Sequence, residues 1–486
     1  MSPNTSGAYF NRGQCFFKDK MFKSALEDFN YSFKLNPKRD FLKGYIILSK
    51  LCICEWDELD SLIIDLKKDL EFNKLSATPW STISMFDDIE LQQKAAQMFS
   101  NKIASLNFDF KISKSKKKLK IGYFSSDFYF HPVSQQIVGV LENHNKKKFE
   151  LYGFSFGKNR DQMFYRVKNT FNKFFDVSEK SNDEIIDLCR KLNLDIAIDL
   201  NGYTASNRFP VFKKRCAPIQ INFLGYPCTM GTSCINYIIA DKVLIPKKLK
   251  KNYSERIIFM PDTFIPNDNN LKISKKNYTR FDFSLPEKVF VYCCFNKNYK
   301  INPIQFNSWI NILRETKDSV IWLNYANKYA ENSLKKILEK NGLDPKRLIF
   351  SKPLSKYEDH LSRHSLADLF LDTFPFGAHS TSCASLWSGL PILTLRGETF
   401  ASRICSSVLT CFDLEELIAK NRQEYETKAI NFANDKKTIT NLKRKVFENI
   451  KKSTLFDTIA YTKNFEKALM NSYENFASNI KDNIVV

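Results

Sequence analysis

A short run of small and polar residues separates a strand-like segment from a helix-like one near the C-terminal end of the chain. The run follows LADLFLD and consists of Gly377, Ala378, His379, Ser380 and Thr381. The first turn of a helix has backbone N–H groups without intrahelical partners, so it can hold a diphosphate without a metal ion. The pattern therefore favours an enzyme that binds a nucleotide sugar.

A lysine stands at a comparable place earlier in the chain, since FNKNYK follows the strand-like run VFVYCCF and ends at Lys300. An ammonium group there would stabilise negative charge that grows on a departing nucleotide diphosphate. The sequence has no Asp-x-Asp motif, so a diphosphate held by a metal ion is not indicated. Protein cations and helix N–H groups would have to stabilise the leaving group instead.

Three of the five histidines fall in or near loops that leave predicted strands: His131, His360 and His379. His131 follows Asp127 and precedes Pro132, so its imidazole could act as a base or as a hydrogen-bonding orienter. A histidine of a surface loop is the equal alternative. His360 has a second histidine four residues later, but no Glu follows it as in zinc motifs, so a metal site is not expected.

Short apolar runs alternate with helix-like segments through most of the chain, which predicts an α/β fold with parallel sheets. A first set of strands is predicted at 119–126, 149–156, 194–200, 218–225 and 236–241. A second set is predicted at 289–295, 319–325, 347–351, 366–372 and 391–395. Two Rossmann-like domains that face each other across a cleft would place the polar loops at the strand ends.

The N-terminal segment has the spacing of one tetratricopeptide unit, at Tyr9, Gly13, Phe16, Ala25, Phe29 and Pro37. A single repeat cannot bury its own apolar face, and the helical pattern over 56–72 offers a partner for it. A helical cap on the next domain and a partner-binding arm are equally compatible. The predicted domains are a helical region (1–113), an N-terminal catalytic lobe (114–278) and a C-terminal lobe (279–486).

Composition narrows the class of protein. The 486 residues carry a formal charge of +21, but only KSKKKLK (114–120) is densely basic and no aromatic residues interleave with it, so nucleic-acid binding is not expected. No signal peptide or apolar run of membrane-spanning length is present, which predicts a cytoplasmic protein. Twelve cysteines without a C-x-x-C pair are interpreted as buried thiols in a reducing compartment.

Seven segments together resemble the catalytic region of the O-linked N-acetylglucosamine transferase and SPINDLY family, in its bacterial form with few tetratricopeptide repeats. They occur in family order and are IGYFSSDFYFHPVS, DLNGYT, APIQINFLGYP, YSERIIFMPDTF, FNKNYKINP, HSTSCASLWSGLPILTLRGETFASR and ELIAKNRQEYE. The likeness extends from 118 to about 465. It implies a GT-B fold and an inverting, metal-independent transfer of a sugar, N-acetylglucosamine above all, from a UDP-sugar to a hydroxyl of a protein or peptide, without a cofactor.

The resemblance also assigns roles to residues. It makes His131 and Lys300 the catalytic residues. It assigns uridine contacts to Lys356, His360 and Arg363, and the diphosphate to the helix start. The residues expected to bind the nucleotide sugar are Gly225, Asn296, Lys356, His360, Arg363, His379, Ser380 and Thr381.

Two positions depart from the family pattern. Ala384 stands where most relatives have an Asp that bonds the ribose, a contact worth about 1.5 to 3 kcal/mol. Lys297 replaces an amide side chain and could add charge at the diphosphate.

A UDP-glucose-dependent asparagine glucosyltransferase and an inactive tetratricopeptide scaffold are therefore retained as alternatives. The sequence leaves open which sugar is moved, whether the acceptor is a protein, peptide or glycan, and the oligomeric state.

Overall fold

The computed structural model describes residues 5–106, 108, 110 and 116–486. The chain divides into two compact units. The first unit comprises the segment that ends at Leu91 together with Lys272–Lys452, and the second comprises Gln92–Leu271 together with Ser453–Val486. The predicted domain boundary at 113/114 and the first residues of the basic cluster lie outside the described residues, and the three-domain division stays a prediction.

Helices occupy the N-terminal region and alternate with strands thereafter. They are α1 (Ser6–Lys18), α2 (Phe22–Leu35), α3 (Leu42–Ile53), α4 (Leu59–Glu71), α5 (Pro79–Met85), α6 (Ile89–Asn101), α7 (Pro132–Asn143), α8 (Gln162–Lys168), α9 (Asn182–Leu192), α10 (Phe209–Lys213), α11 (Pro303–Glu315), α12 (Lys328–Lys340), α13 (Tyr357–Ser362), α14 (Ser380–Trp387), α15 (Phe400–Cys411), α16 (Arg422–Asn434), α17 (Lys436–Lys452) and α18 (Thr458–Ala477).

The strands form two sheets in which every pair is parallel. They are β1 (Leu119–Ser125), β2 (Phe149–Ser155), β3 (Lys173–Asp176), β4 (Ile196–Asp199), β5 (Ile219–Asn222), β6 (Tyr237–Ala240), β7 (Arg256–Phe259), β8 (Phe290–Cys294), β9 (Ser319–Asn324), β10 (Leu348–Ser351), β11 (Leu369–Leu371), β12 (Ile392–Leu395), β13 (Ile418–Ala419) and β14 (Ile484–Val485). The second unit has the order β14-β7-β6-β5-β4-β1-β2-β3, and the first unit has β10-β9-β8-β11-β12-β13.

Each of the ten predicted strands contains one observed strand, so the α/β prediction with two parallel sheets is confirmed. The sequence analysis missed β3, β7, β13 and β14. The first of these lies at a sheet edge, where partial exposure leaves no apolar run. The last two have only two residues each, which is too short for a periodic pattern.

The N-terminal helices confirm the helix pair expected from the repeat spacing. A Cβ atom on Gly13 of α1 would lie 2.6 Å from the Phe29 ring of α2, so the close approach of the two helices requires glycine there. Their shared core continues into α3 through Leu42 and Ile46, and Leu62 of α4 packs at its margin. The pair therefore stacks mainly on α3, and only secondarily on the helix that the sequence offered.

The N-terminal helices pack on the segment 272–452 within the first unit. The Trp56 and Phe306 ring centroids are 5.6 Å apart, and those of Trp80 and Phe376 are 5.7 Å apart. Asp87 accepts hydrogen bonds from the backbone N–H groups of Glu398 (2.8 Å) and Thr399 (3.0 Å). These contacts make the helical region a structural part of the first unit.

Two further expectations concern the whole chain. The cysteines, all of which lie within the described ranges, are thiols rather than disulfides, and all except Cys15 and Cys411 are buried, as the sequence predicted. Within the described ranges, no helix is both long and apolar enough to cross a membrane.

A buried histidine fastens the C-terminal helix to the second unit. The His144 imidazole lies 2.6 Å from the Tyr123 hydroxyl through Nε2 and 3.1 Å from Glu466 Oε1 through Nδ1. The same oxygen of Glu466, on α18, accepts the backbone N–H of Asn145 at 2.6 Å. One carboxylate thus supplies the acceptor for two donors that follow α7.

We expect Glu466→Ala to lower the free energy of unfolding by about 1.5 to 3 kcal/mol, because it leaves the imidazole N–H and an amide without an acceptor. Glu466→Gln should cost less, since it keeps one carbonyl oxygen. Glu474→Ala, an exposed change on the same helix, is the matched control. Urea denaturation measures all three, and equal stability of the two alanine variants would contradict the assignment.

Candidate active site

Lys300 lies inside the first unit against the loop that leads into α14. It ends a turn at Asn298–Lys300 that follows β8, and its side chain is buried. Its ammonium Nζ donates to the carbonyl of Gly377 at 2.8 Å and lies 3.6 Å from the centroid of the Phe376 ring. The structure therefore brings Lys300 and the predicted anion-binding turn together.

The Lys300 ammonium is poorly solvated. Burial lowers the pKa of Lys300 to about 8, while the nearby Asp372 carboxylate acts in the opposite direction. The group remains mostly charged at neutral pH, with less water around it than a surface lysine has. A cation in such surroundings attracts an anionic ligand more strongly than one in bulk water.

Asp372 organises the loop around this cation. Its carboxylate accepts the backbone N–H groups of Thr373 (2.8 Å) and Ala378 (2.6 Å). It also accepts the Thr394 hydroxyl at 2.7 Å and the Asn296 amide at 3.0 Å. Burial raises the pKa of Asp372, and these donors oppose that shift. The loop at 373–378, Thr394 of β12 and Asn296 after β8 are thereby held to one side chain.

Asn296, predicted to bind the nucleotide sugar, connects β8 to the start of α14. Its amide nitrogen donates to Asp372 and to the Thr373 hydroxyl, the latter at 2.8 Å. Its amide oxygen accepts the Thr381 hydroxyl at 2.7 Å. In this structure Asn296 therefore fixes the first turn of the helix.

The three predicted diphosphate residues lie at the beginning of α14. His379 is the N-cap residue, and Ser380 and Thr381 form the first turn, all three half-buried. Burial, and secondarily the Lys300 ammonium, lower the pKa of His379 to about 3. The imidazole is therefore neutral at pH 7, and one ring N–H can donate to an anion beside the unpaired helix N–H groups.

Arg363 forms the centre of a second cluster, next to the end of β9. Its side chain is 1% exposed, its Nη2 donates to Asn324 Oδ1 at 2.5 Å, and its guanidinium lies 4.3 Å from the centroid of the Phe295 ring. Burial lowers the pKa of Arg363 to about 10. Its Nε and Nη1 have no hydrogen-bond partner among the residues that the structure describes, so two buried donors stand ready for an oxygen of a ligand.

His360 joins this cluster, whereas Lys356 does not. The His360 ring is 5.6 Å from the Phe295 ring and 4.8 Å from the His364 ring, centroid to centroid. Burial lowers the pKa of His360 well below its usual value, which keeps the ring neutral. Lys356 is the exposed residue before α13, and its role as a uridine contact stays a prediction.

His131 begins α7 in the second unit. Its Nδ1 accepts the backbone N–H of Val133 at 3.3 Å and lies 3.8 Å from Asp127 Oδ2. Because this lone pair is used, the neutral ring carries its proton on Nε2. The geometry thus favours the orienting role of His131 over that of a base.

Gly225 lies in the loop after β5 of the same unit. A Cβ atom at this position would lie 2.1 Å from the Leu200 carbonyl oxygen, so any side chain would force the two loops apart. Asn201, which follows Leu200 in the chain, donates its side-chain amide to Asp127 Oδ2 at 2.8 Å. The loops after β1, β4 and β5 are thus interlocked at the carboxyl edge of the sheet.

Sequence reasoning missed the residues that support the predicted ones, above all Asp372, Asn324, Phe295 and Phe376. Asp372 and Asn324 are polar residues at the carboxyl ends of buried strands, a signal that could have identified them. Nothing in the local sequence marks Phe376, whose ring lies beneath the Lys300 ammonium. Its role depends on packing that only the folded chain provides.

Replacing Asp372 with Ala should lower the free energy of unfolding by more than about 3 kcal/mol, because several buried donors lose their acceptor at once. Asp344→Ala is the control, since this exposed carboxylate accepts only a local backbone N–H from Lys346. It should cost less than about 1 kcal/mol. Chemical denaturation followed by tryptophan fluorescence distinguishes the two, and comparable losses would argue against the network.

Comparisons with known proteins show which family the chain resembles. The family model described as Glycosyl transferase family 41 matches residues 88–278 and 273–465. A relative from Arabidopsis thaliana, described as a probable UDP-N-acetylglucosamine--peptide N-acetylglucosaminyltransferase SEC, is 33% identical over 359 residues, which are 72% of this chain and 37% of the relative. A UDP-N-acetylglucosamine--peptide N-acetylglucosaminyltransferase from Caenorhabditis elegans is 27% identical, covering 74% and 41%. The chain spans about two fifths of the length of these relatives.

A solved structure supports the fold assignment. A mutant of the Thermobaculum terrenum O-GlcNAc transferase superposes with a TM-score of 0.83 over 98% of this chain and 92% of that one, at 21% identity. The shared fold and the family match over most of both α/β regions confirm the resemblance found in the sequence. The chain belongs to glycosyl transferase family 41.

Proposed function

We propose that this protein is an inverting, metal-independent glycosyltransferase that moves N-acetylglucosamine from its UDP-linked form to a hydroxyl group of a protein or peptide. The observation that carries the proposal is the buried Lys300 ammonium beside the start of α14. The names of the two curated relatives include the same donor and a peptide acceptor.

The first unit offers two neighbouring environments that suit the two parts of a uridine diphosphate. The turn at 379–381 and Lys300 offer positive potential for phosphate oxygens. The buried Arg363 donors and the Phe295 and His360 rings offer hydrogen bonds and a flat apolar surface for a base. Both are joined at the carboxyl end of β8, through Phe295 and Asn296.

In the proposed reaction an acceptor hydroxyl oxygen attacks the anomeric carbon of the sugar. The bond from that carbon to the diphosphate breaks, and its electron pair moves to the phosphate oxygen. Lys300 and the helix N–H groups stabilise this charge, which makes a metal ion unnecessary in the proposal. Attack opposite the leaving group inverts the configuration at the anomeric carbon.

On the acceptor side, the proposal assigns His131 the task of orienting the hydroxyl through its Nε2. The occupied Nδ1 supports this assignment. The acceptor proton then passes to water or to a carboxylate such as Asp127, whose Oδ2 lies 3.8 Å from the imidazole Nδ1.

Ala384 concerns the donor. It is buried in α14, where it supplies no carboxylate for the ribose hydroxyls. Comparing the hydrolysis of UDP-N-acetylglucosamine and UDP-glucose separates the proposal from an asparagine glucosyltransferase. Hydrolysis of neither, together with intact folding, would favour the inactive scaffold.

Lys300→Ala should weaken UDP binding at least about tenfold, because a charge-assisted hydrogen bond is lost. The rate of sugar transfer should fall by roughly a hundredfold or more, since the charge on the leaving group is greatest in the transition state. Lys340→Ala removes an exposed lysine of the same unit and should change neither. Calorimetric titration with UDP and a transfer assay measure both effects, and unchanged UDP affinity in the Lys300 variant would refute the assignment.

The lowered pKa of Lys300, about 8, predicts a pH dependence of UDP binding. Raising the pH through this value removes the ammonium charge in the free protein, so affinity should fall on the order of twenty-fold between about pH 7.5 and about pH 9.5. Lys300→Arg stays charged over this range and should give a nearly flat profile. A flat profile of the unaltered protein would mean that Lys300 does not contact the diphosphate.

A further inference from the structure

Lys300, Arg363, His360 and Phe295, which are proposed to bind the nucleotide, are called the nucleotide cluster. A groove of about 370 Å³ opens within the first unit, next to this cluster. The turn before α2 and the start of that helix line one side with Lys20, Met21 and Lys23, and the start of α12 lines the other with Lys328 and Tyr329. This volume lies in the range of small-ligand sites. We call it the basic groove.

Positive charge in the basic groove is only partly compensated. Lys23 forms an ion pair with Glu55 at 2.9 Å. Among the described residues, the ammonium groups of Lys20 and Lys328 have no hydrogen-bond or ion-pair partner. Lys328 is also the first residue of α12, where the helix dipole adds further positive potential.

Lys297 extends this charge toward the turn that carries Lys300. Desolvation lowers the pKa of Lys297, and repulsion from the Lys20 ammonium lowers it further. No carboxylate among the described residues pairs with either one. Like charges held together without a counterion favour the binding of an anion.

Apolar side chains flank the cations. Met21, the N-cap of α2, is 51% exposed, and Tyr329, in the first turn of α12, is 55% exposed. Large apolar side chains that stay exposed beside a concavity are typical of interaction sites. The groove therefore suits a ligand that carries negative charge together with apolar groups.

Hydrogen bonds and a short stretch of chain connect the basic groove to the nucleotide cluster. The Cys52 carbonyl, near the end of α3, accepts the Asn327 side-chain amide at 2.9 Å. It also accepts the side-chain amide of Asn298, from the turn that ends at Lys300. A third link is the end of β9, where Asn324 holds Arg363 three residues before Asn327.

We propose that the basic groove binds an acidic segment of the acceptor polypeptide, close to the residue that receives the sugar. The inference rests on the proposed function and names the class of acceptor. A peptide rich in Asp and Glu with an apolar side chain matches both features of the groove. A nucleic acid, which could also contact the rings of Phe22, Tyr325 and Tyr329 at the groove, is the alternative that the competition experiment below tests.

The test uses two fluorescein-labelled decapeptides that share one serine, with Glu and Asp around it in the first and Gln and Asn in the second. Their binding to the whole protein in the presence of UDP is measured by fluorescence anisotropy. We expect at least tenfold tighter binding of the acidic peptide, and a smaller preference at high salt. Absence of a preference in the unaltered protein would overturn the proposal.

Charge reversal identifies the surface. Lys20→Glu combined with Lys328→Glu should abolish the preference for the acidic peptide, while the affinity for UDP stays within twofold. Lys340→Glu combined with Lys346→Glu makes the same change in charge at exposed positions outside the groove and should keep the preference. Equal behaviour of the two double variants would overturn the proposal, as would competition by an oligonucleotide of equal charge as effective as that by unlabelled acidic peptide.

The readouts separate this inference from the proposed function. If the unaltered protein neither binds UDP nor hydrolyses a UDP-sugar, the proposed transferase function is contradicted. Normal UDP binding without any acidic preference would contradict only the basic groove.

Discussion

A buried ammonium with an incomplete counter-charge is the constraint on which the first unit depends. Lys300 is held by the Gly377 carbonyl, and the Asp372 carboxylate is already committed to several donors. Removing both charges from water is costly unless geometry compensates. The surrounding hydrogen bonds fix the loop and the first turn of α14, so a large part of this cost is met in the absence of ligand. An anion bound beside Lys300 would supply the negative charge that this ammonium group lacks.

This constraint explains why the N-terminal helices belong to the same unit. Trp80 of α5 packs against Phe376, whose ring also contacts the Lys300 ammonium. Asp87 caps the loop before α15, and the Cys52 carbonyl receives two asparagine amides. The helical region thus packs against the loop at Phe376 and against the turn that ends at Lys300.

The sequence predicted the parts of the site that depend on local order. A strand, a polar turn and a helix follow one another at 369–387, and FNKNYK follows β8, so both elements proposed to bind the diphosphate could be found without the structure. Long-range support could not be predicted in this way. Asp372 takes its donors from separate segments, and the stacking of Trp80 joins residues almost 300 positions apart. The pairing of the N-terminal helices with 272–452 likewise depends on packing, which no local periodicity encodes.

The interleaving of the two units has a consequence for synthesis on the ribosome. The nascent chain supplies the N-terminal helices first, then Gln92–Leu271, and only afterwards Lys272–Lys452, on which those helices pack. Apolar side chains such as Trp56 and Trp80 therefore lack their final partners, Phe306 and Phe376, while roughly 250 to 300 residues are translated, an interval in which exposed apolar surface favours aggregation. The second unit is completed later still, because it includes Ser453–Val486, which is translated after the whole of the first unit. Chaperone assistance during translation would benefit this chain more than one whose domains are contiguous.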